Sequence, residues 1–174
     1  LKRMNRTGDR ESLTALMKKI REKIPGVTLR TTLITGFPGE TEEEFTELAE
    51  FVKDIEFERL GCFAYSQEEG TPAALMPDQV KNHRAEIIME SQMNIMDRLG
   101  EKQVGGDITV LTEGFDRYAE CWFGRSPADA PDIDGKVFFT CPGGAVKPGD
   151  LVRVTVTDSM DWDLMGEYVD ESAQ

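Results

Sequence analysis

Between Val27 and Lys102 the sequence alternates strand, helix, strand and helix, and an alternation with only two strands severely limits what such a chain can fold into. Val27 to Thr35 places Val27, Leu29, Thr31 and Leu33 on one face and Thr28, Arg30, Thr32 and Ile34 on the other. Gly36-Phe37-Pro38-Gly39 is a turn signal. Thr41, with Glu44 three positions later, forms a capping box for a helix presenting Phe45, Leu48, Ala49, Val52 and Ile55. Arg59 to Ser66 reads as a second strand entering a loop at Glu68-Glu69-Gly70-Thr71-Pro72, and a long helix runs from about Asp78 to Lys102. Helices of this length between strands imply parallel pairing. Two parallel strands cannot bury both of their faces, and a closed βα barrel needs about eight strands. Residues 1–102 are therefore expected to be the tail of a sheet whose other strands lie upstream. The opening Leu1-Lys2-Arg3-Met4-Asn5-Arg6, with no turn or cap ahead of it, fits a chain that begins inside an element. An amphipathic helix, Glu11 to Ile24, follows it, with Leu13, Leu16, Met17, Ile20 and Ile24 at helical spacing and Pro25-Gly26 as its stop.

After Gly105-Gly106 the texture changes to short β-rich runs at 108–113, 118–123, 136–141, 151–157 and 164–169. Asp134-Gly135, Pro142-Gly143-Gly144 and Pro148-Gly149-Asp150 punctuate them. Five short strands in so few residues predict a small OB-like barrel over 103–174. The fold class is thus α/β plus all-β in two domains.

Charge divides the chain in the same place. Residues 1–102 carry 15 Lys and Arg against 19 Asp and Glu, whereas 103–174 carry 5 against 14. A surface so acidic repels phosphate backbones and attracts basic proteins or cations. The apolar runs fall far short of the roughly 20 residues that cross a bilayer, and no signal-peptide pattern opens the chain, so a cytoplasmic protein with no membrane partner is expected. Cys62, Cys121 and Cys141 are odd in number and dispersed, which gives neither a disulfide framework nor a CxxC-type metal knuckle; all three read as reduced and structural.

A βα barrel places its site at the C-terminal ends of its strands, here Thr32, Ile34 and Gly36 on the first and Phe63, Tyr65 and Ser66 on the second. Gly36 and Gly39 permit close backbone approach to a nucleotide-like ligand, and Ile34 and Tyr65 suit packing on an adenine ring. On composition alone the same turn also reads as ordinary punctuation between a strand and a helix. Arg30 shares the inward face of a closed barrel with Thr32, and a buried Arg needs a structural acid or a phosphate-like partner. His83, the sole histidine, sits beside Asn82 and Arg84 and reads as a solvated helix face. Glu42-Glu43-Glu44 supports a helix N-terminus and does not read as a metal cluster. No residue is assigned a catalytic or metal-ligating role.

Longer strings carry a family likeness. Leu29-Arg30-Thr31-Thr32-Leu33-Ile34-Thr35-Gly36-Phe37-Pro38-Gly39-Glu40-Thr41, Leu60-Gly61-Cys62-Phe63-Ala64-Tyr65-Ser66 and Glu69-Gly70-Thr71-Pro72-Ala73 resemble the radical S-adenosylmethionine methylthiotransferases, as does the opening hexapeptide. Pro77-Asp78-Gln79-Val80, Gly124-Arg125-Ser126, the stretch Ala128 to Gly135 and Lys147-Pro148-Gly149-Asp150 are similar to its RimO branch in particular. The likeness spans nearly the whole chain.

The resemblance implies a radical S-adenosylmethionine barrel tail over 1–102 and a TRAM domain over 103–174. It implies an iron-sulfur enzyme that uses S-adenosylmethionine and [4Fe-4S] clusters to add a methylthio group to the β-carbon of an aspartate in small-subunit ribosomal protein twelve. In such enzymes a CxxxCxxC motif holds the radical-generating cluster and an N-terminal domain a second one; this sequence has neither, so the chain is expected to be inert alone. Arg30, Thr32, Ile34, Gly36, Phe63 and Tyr65 then line or support the cofactor cavity. Asp129, Asp132 and Asp134 are the candidates for docking a basic protein, against the plainer reading of a solvated acidic loop. Two alternatives stand beside this one: a MiaB-type enzyme acting on transfer RNA adenosine, and a stand-alone protein-binding TRAM module. The acidity of the barrel argues against a nucleic-acid partner.

Overall fold

The computed structural model describes residues 1, 5–66, 76–143 and 146–170. The loop expected at Glu68 to Pro72, with Ala73 beyond it, lies outside these residues. The chain forms two compact units, Leu1–Ile95 and Met96–Gln174.

The first unit contains helix α1 (Arg10–Lys23), strand β1 (Arg30–Thr35), helix α2 (Glu42–Ile55), strand β2 (Arg59–Ala64) and most of helix α3 (Asp78–Glu101). Helix α2 starts on the expected capping box: Thr41 Oγ1 accepts from the Glu44 amide at 3.2 Å and the Glu44 carboxylate accepts from the Thr41 amide at 3.0 Å. A second capping box, between Asp9 and Ser12, starts α1. The apolar stripe of α1 finds less cover than its spacing predicts, since none of its residues is fully buried and Leu16 and Ile24 are exposed. The helix is held instead by its cations. Arg10 pairs with Glu50 and Asp54 of α2, and Arg21 donates to the Ile55 and Glu56 carbonyls and to Glu58.

Strands β1 and β2 pair in parallel, with Arg30 opposite Arg59, Thr32 opposite Gly61 and Ile34 opposite Phe63. The period-two pattern of β1 is realised, because Leu29 and Thr35 are buried while Arg30, Thr32 and Ile34 are exposed. The covered side of the sheet is lined by Leu60, with Phe45, Val52, Ile55 and Ile88 of the helices buried in the same unit. The buried Gln92 Nε2 donates to the Phe57 carbonyl at 2.8 Å, whereas its Oε1 is buried with no partner among the described residues.

The second unit takes in the last turns of α3, so the compact units divide inside this helix, ahead of the expected boundary at 102 and 103. Gly100 accounts for that: a Cβ there would lie 2.9 Å from Ser159 Cβ, so the helix end sits directly on the barrel. The barrel is closed, in the order β3 (Asp107–Asp116), β4 (Cys121–Arg125), β5 (Val137–Thr140), β7 (Asp163–Tyr168) and β6 (Leu151–Met160). Within the barrel, β5 and β7 pair in parallel and its other described pairings are antiparallel. Val110, Val137, Phe139, Val146, Val152 and Val154 form its core. Register shifts at Thr112/Gly114 and Val156/Asp158 bend the two long strands so that five suffice for closure. The strand expected at 118–123 is displaced to 121–125 for a local reason. The Asp116 carboxylate accepts from the Tyr118 and Ala119 amides at 2.8 and 3.1 Å, and this turn uses up the residues that would have begun the strand.

Candidate functional site

Six of the nine expected site residues gather on β1, β2 and the residues just after them. Arg30, Thr32 and Ile34 stand in line on the uncovered face, and Phe63 stands opposite Ile34 across the parallel pair. Ile34 is 44% and Phe63 63% exposed, a high value for an aromatic ring in a strand. In the β2 row Gly61 lies between Arg59 and Phe63, so the face presents an apolar end at Ile34 and Phe63 and a cationic end at Arg30 and Arg59.

Tyr65 follows β2 and extends the ladder by donating its amide to the Thr35 carbonyl at 2.8 Å. Its ring meets Phe37 edge-on at 5.4 Å. Gly36 is buried at φ +73°, a conformation that suits glycine, and its amide donates to Glu40 Oε1 at 3.0 Å. The space where its side chain would be is taken by Lys81: a Cβ on Gly36 would lie 2.1 Å from Lys81 Cγ. Close approach at this glycine is thus made by a lysine of the same chain. An open cleft of about 430 Å³ borders these strand ends, lined by Tyr65, Ser66, Met76, Asp78, Lys81 and Asn82.

Lys81 and Arg84 are charged residues beside these strand ends that the residue pattern does not mark. Both are buried, although they flank His83, whose side chain is 72% exposed as its polar surroundings predict. Arg84 binds Glu40 and Glu42 and lies over the Phe45 ring at 5.0 Å. Glu40 therefore joins the Gly36 amide to the Arg84 guanidinium.

Cys62 lies on the covered side of β2, and burial pushes its thiol up to about 11. It is a protonated, inert thiol at neutral pH. Cys121 and Cys141 are also free thiols. Among the described residues no group of three or more His, Cys, Asp or Glu side chains is arranged to hold a metal ion. No helix of the described residues is long and apolar enough to cross a membrane.

The three aspartates of the barrel loop part company. Asp129 accepts from the Ser126 amide at 3.0 Å and from its hydroxyl at 2.6 Å, and Asp134 accepts from the Ala130 amide at 2.6 Å. Both carboxylates organise the loop. Asp132 is exposed at φ +59°, next to Ile133, which is 77% exposed. Of the expected docking residues it is the one whose carboxylate stands outward.

A pair of parallel strands with helices on one face, joined in sequence to a closed five-stranded barrel, defines an α/β segment coupled to an OB-like module, and comparison with known proteins gives that module its class. Residues 104–169 match the model of the TRAM domain. The chain is 45% identical over 97% of its length to the ribosomal protein uS12 methylthiotransferase RimO of Geobacter sulfurreducens, and 46% identical over 97% to that of Geotalea uraniireducens. The protein of the same name from Clostridium novyi is 45% identical over all of the chain. Along nearly its whole length, the chain is thus similar to part of the RimO methylthiotransferases. It covers 38%, 38% and 39% of those three relatives, so it spans about two fifths of their length.

Proposed function

We propose that the chain is the C-terminal part of a radical S-adenosylmethionine enzyme that methylthiolates an aspartate of ribosomal protein uS12. In this reading Leu1–Ile95 supplies the last strands of a TIM-like βα barrel and the TRAM domain engages the protein substrate. The observation that carries it is the joint one: 45% identity to a RimO protein, and paired strands that offer Ile34, Phe63, Thr32 and Arg30 along one open face. That face suits the cofactor. Ile34 and Phe63 give an adenine ring an apolar support, while Thr32 and Arg30 offer polar groups to the remainder of S-adenosylmethionine. When bound, the cofactor supplies the reactive radical chemistry, and these residues bind and orient it.

The cysteines do not suit an iron-sulfur cluster. Such centres are held by closely spaced thiolates, whereas Cys62 is held as a thiol and Cys121 and Cys141 belong to separate barrel strands or their ends. Cluster ligands are accordingly assigned to the portion of the parent enzyme outside this chain, and the chain alone is inactive. Protein is favoured over transfer RNA as substrate because the barrel carries 5 basic against 14 acidic residues from position 103 onward, and RNA affinity rests on phosphate neutralisation.

A chimaera tests this reading. Replacing the matching two fifths of the Geobacter sulfurreducens protein by this chain should preserve uS12 methylthiolation in vitro. A folded chimaera that binds its clusters but leaves uS12 unmodified contradicts it.

A further inference from the structure

Lys81 is 6% exposed, although it lies in the first turns of a helix whose neighbouring polar residues face water. Among the described residues it reaches the ends of the two strands, its own helix and Pro77 just ahead of it. Its main-chain oxygen accepts the buried Thr35 hydroxyl at 3.1 Å. Its methylenes fill the space beside Gly36, and its ammonium donates to the Tyr65 carbonyl at 3.1 Å, 5.9 Å from the Tyr65 ring centre. Asp78, exposed at the helix start, pairs with it at 2.7 Å. One side chain thus ties the end of β1 to the end of β2.

Packing alone does not require a cation there. A methionine would fill the space beside Gly36 with less desolvation, because its flexible thioether carries no charge into a buried position. What the ammonium adds is a directed bond to the Tyr65 carbonyl, which fixes the backbone leaving β2 relative to the turn leaving β1. Tyr65 and Ser66, leaving β2, border the 430 Å³ cleft, as does Lys81 itself.

We propose that Lys81 is a positioning residue for the cofactor site, holding the Gly36 turn and the Tyr65 backbone in the separation that S-adenosylmethionine binding needs. The proposal rests on the reading of these strand ends as a cofactor site. Lys81 acts through Gly36 and Tyr65 and touches no reacting atom.

The test uses the complete enzyme carrying this chain, with S-adenosylhomocysteine as the probe in calorimetric titration. Lys81→Met keeps the methylenes and removes the ammonium, and Lys81→Arg keeps a cation. The Met variant should bind about tenfold more weakly than wild type, equivalent to ~1.4 kcal/mol, with the Arg variant between the two. Amide exchange at Gly36 and Tyr65 should quicken in the Met variant while its melting temperature stays near that of wild type. Wild-type affinity in a folded Met variant overturns the role of Lys81 and leaves the cofactor reading intact. So does a loss that merely tracks the unfolded fraction. A wild-type protein that binds no S-adenosylhomocysteine overturns the cofactor reading itself, and the role of Lys81 with it.

Discussion

The Asp129 carboxylate accepts both the amide and the hydroxyl of Ser126, at 3.0 and 2.6 Å, and this pair converts an acidic stretch of the barrel into an ordered loop. A carboxylate engaged in this way has less to offer a partner than one standing in water. Asp129→Asn and Asp134→Asn should therefore each destabilise the loop by about 1 kcal/mol, the usual worth of such hydrogen bonds. Asp132→Asn should leave stability unchanged, because asparagine tolerates the left-handed backbone at φ +59°. Its effect should appear instead as slower, less salt-sensitive association with uS12. Denaturant titration and stopped-flow binding of the three variants check the division.

Gly36 gives a sharper steric prediction. Gly36→Ala places a Cβ 2.1 Å from Lys81 Cγ at a positive φ, so the loss should reach at least the ~1–3 kcal/mol typical of overpacking. Adding Lys81→Ala removes the Cγ clash but keeps the lysine Cβ 2.8 Å away, so it should recover part of the steric share and leave the backbone strain, and the two changes are non-additive. Denaturant midpoints of the single and double variants measure the coupling. Strict additivity would show that the lysine is not what fills this space.

Cys62 links burial to pH. Its thiol titrates near 9.0 in the unfolded chain and near 11 in the fold, so the folded state keeps the proton longer. The stability it contributes is whole below pH 9 and is lost as pH rises through about 11. Unfolding titrations of wild type and Cys62→Ala across that window should converge towards high pH. Alkylation of Cys62 in the native protein should be slow at pH 8 and quicken only as that window is crossed.

In the barrel, Phe139 is 1% exposed within the valine core, and Phe139→Ala should cost about 3–5 kcal/mol. Gly124→Ala should also unfold the barrel, since a Cβ there would lie 2.1 Å from the Leu111 carbonyl oxygen of the adjacent strand, backbone that cannot step aside. Circular dichroism melts of the complete enzyme, following the barrel transition, check both.

Much of this architecture is legible in residue order because local chemistry sets it. The alternation of β1 assigns Arg30, Thr32 and Ile34 to one face, the Thr41 and Glu44 pair fixes the start of α2, and turn residues space the barrel strands. The displaced start of β4 shows where local reading fails, since an aspartate that accepts two amides outweighs the strand preference of the residues after it. Lys81 and Arg84 were hidden for a different reason. Nothing near them in sequence marks them as buried, and the partner that holds Arg84 is Glu40, 44 positions away. Likewise the acids at 129, 132 and 134 look alike in sequence, and only the folded loop separates the two that cap amides from the one that faces water.

Mass spectrometry of uS12 and transfer RNA from cells lacking the complete gene decides whether the proposed methylthiotransferase modifies protein. In such cells uS12 should lack one methylthio group on its aspartate, re-expression should restore it, and the methylthioadenosine of transfer RNA should be unchanged. Unaltered uS12 together with loss of the transfer RNA modification would contradict the proposal.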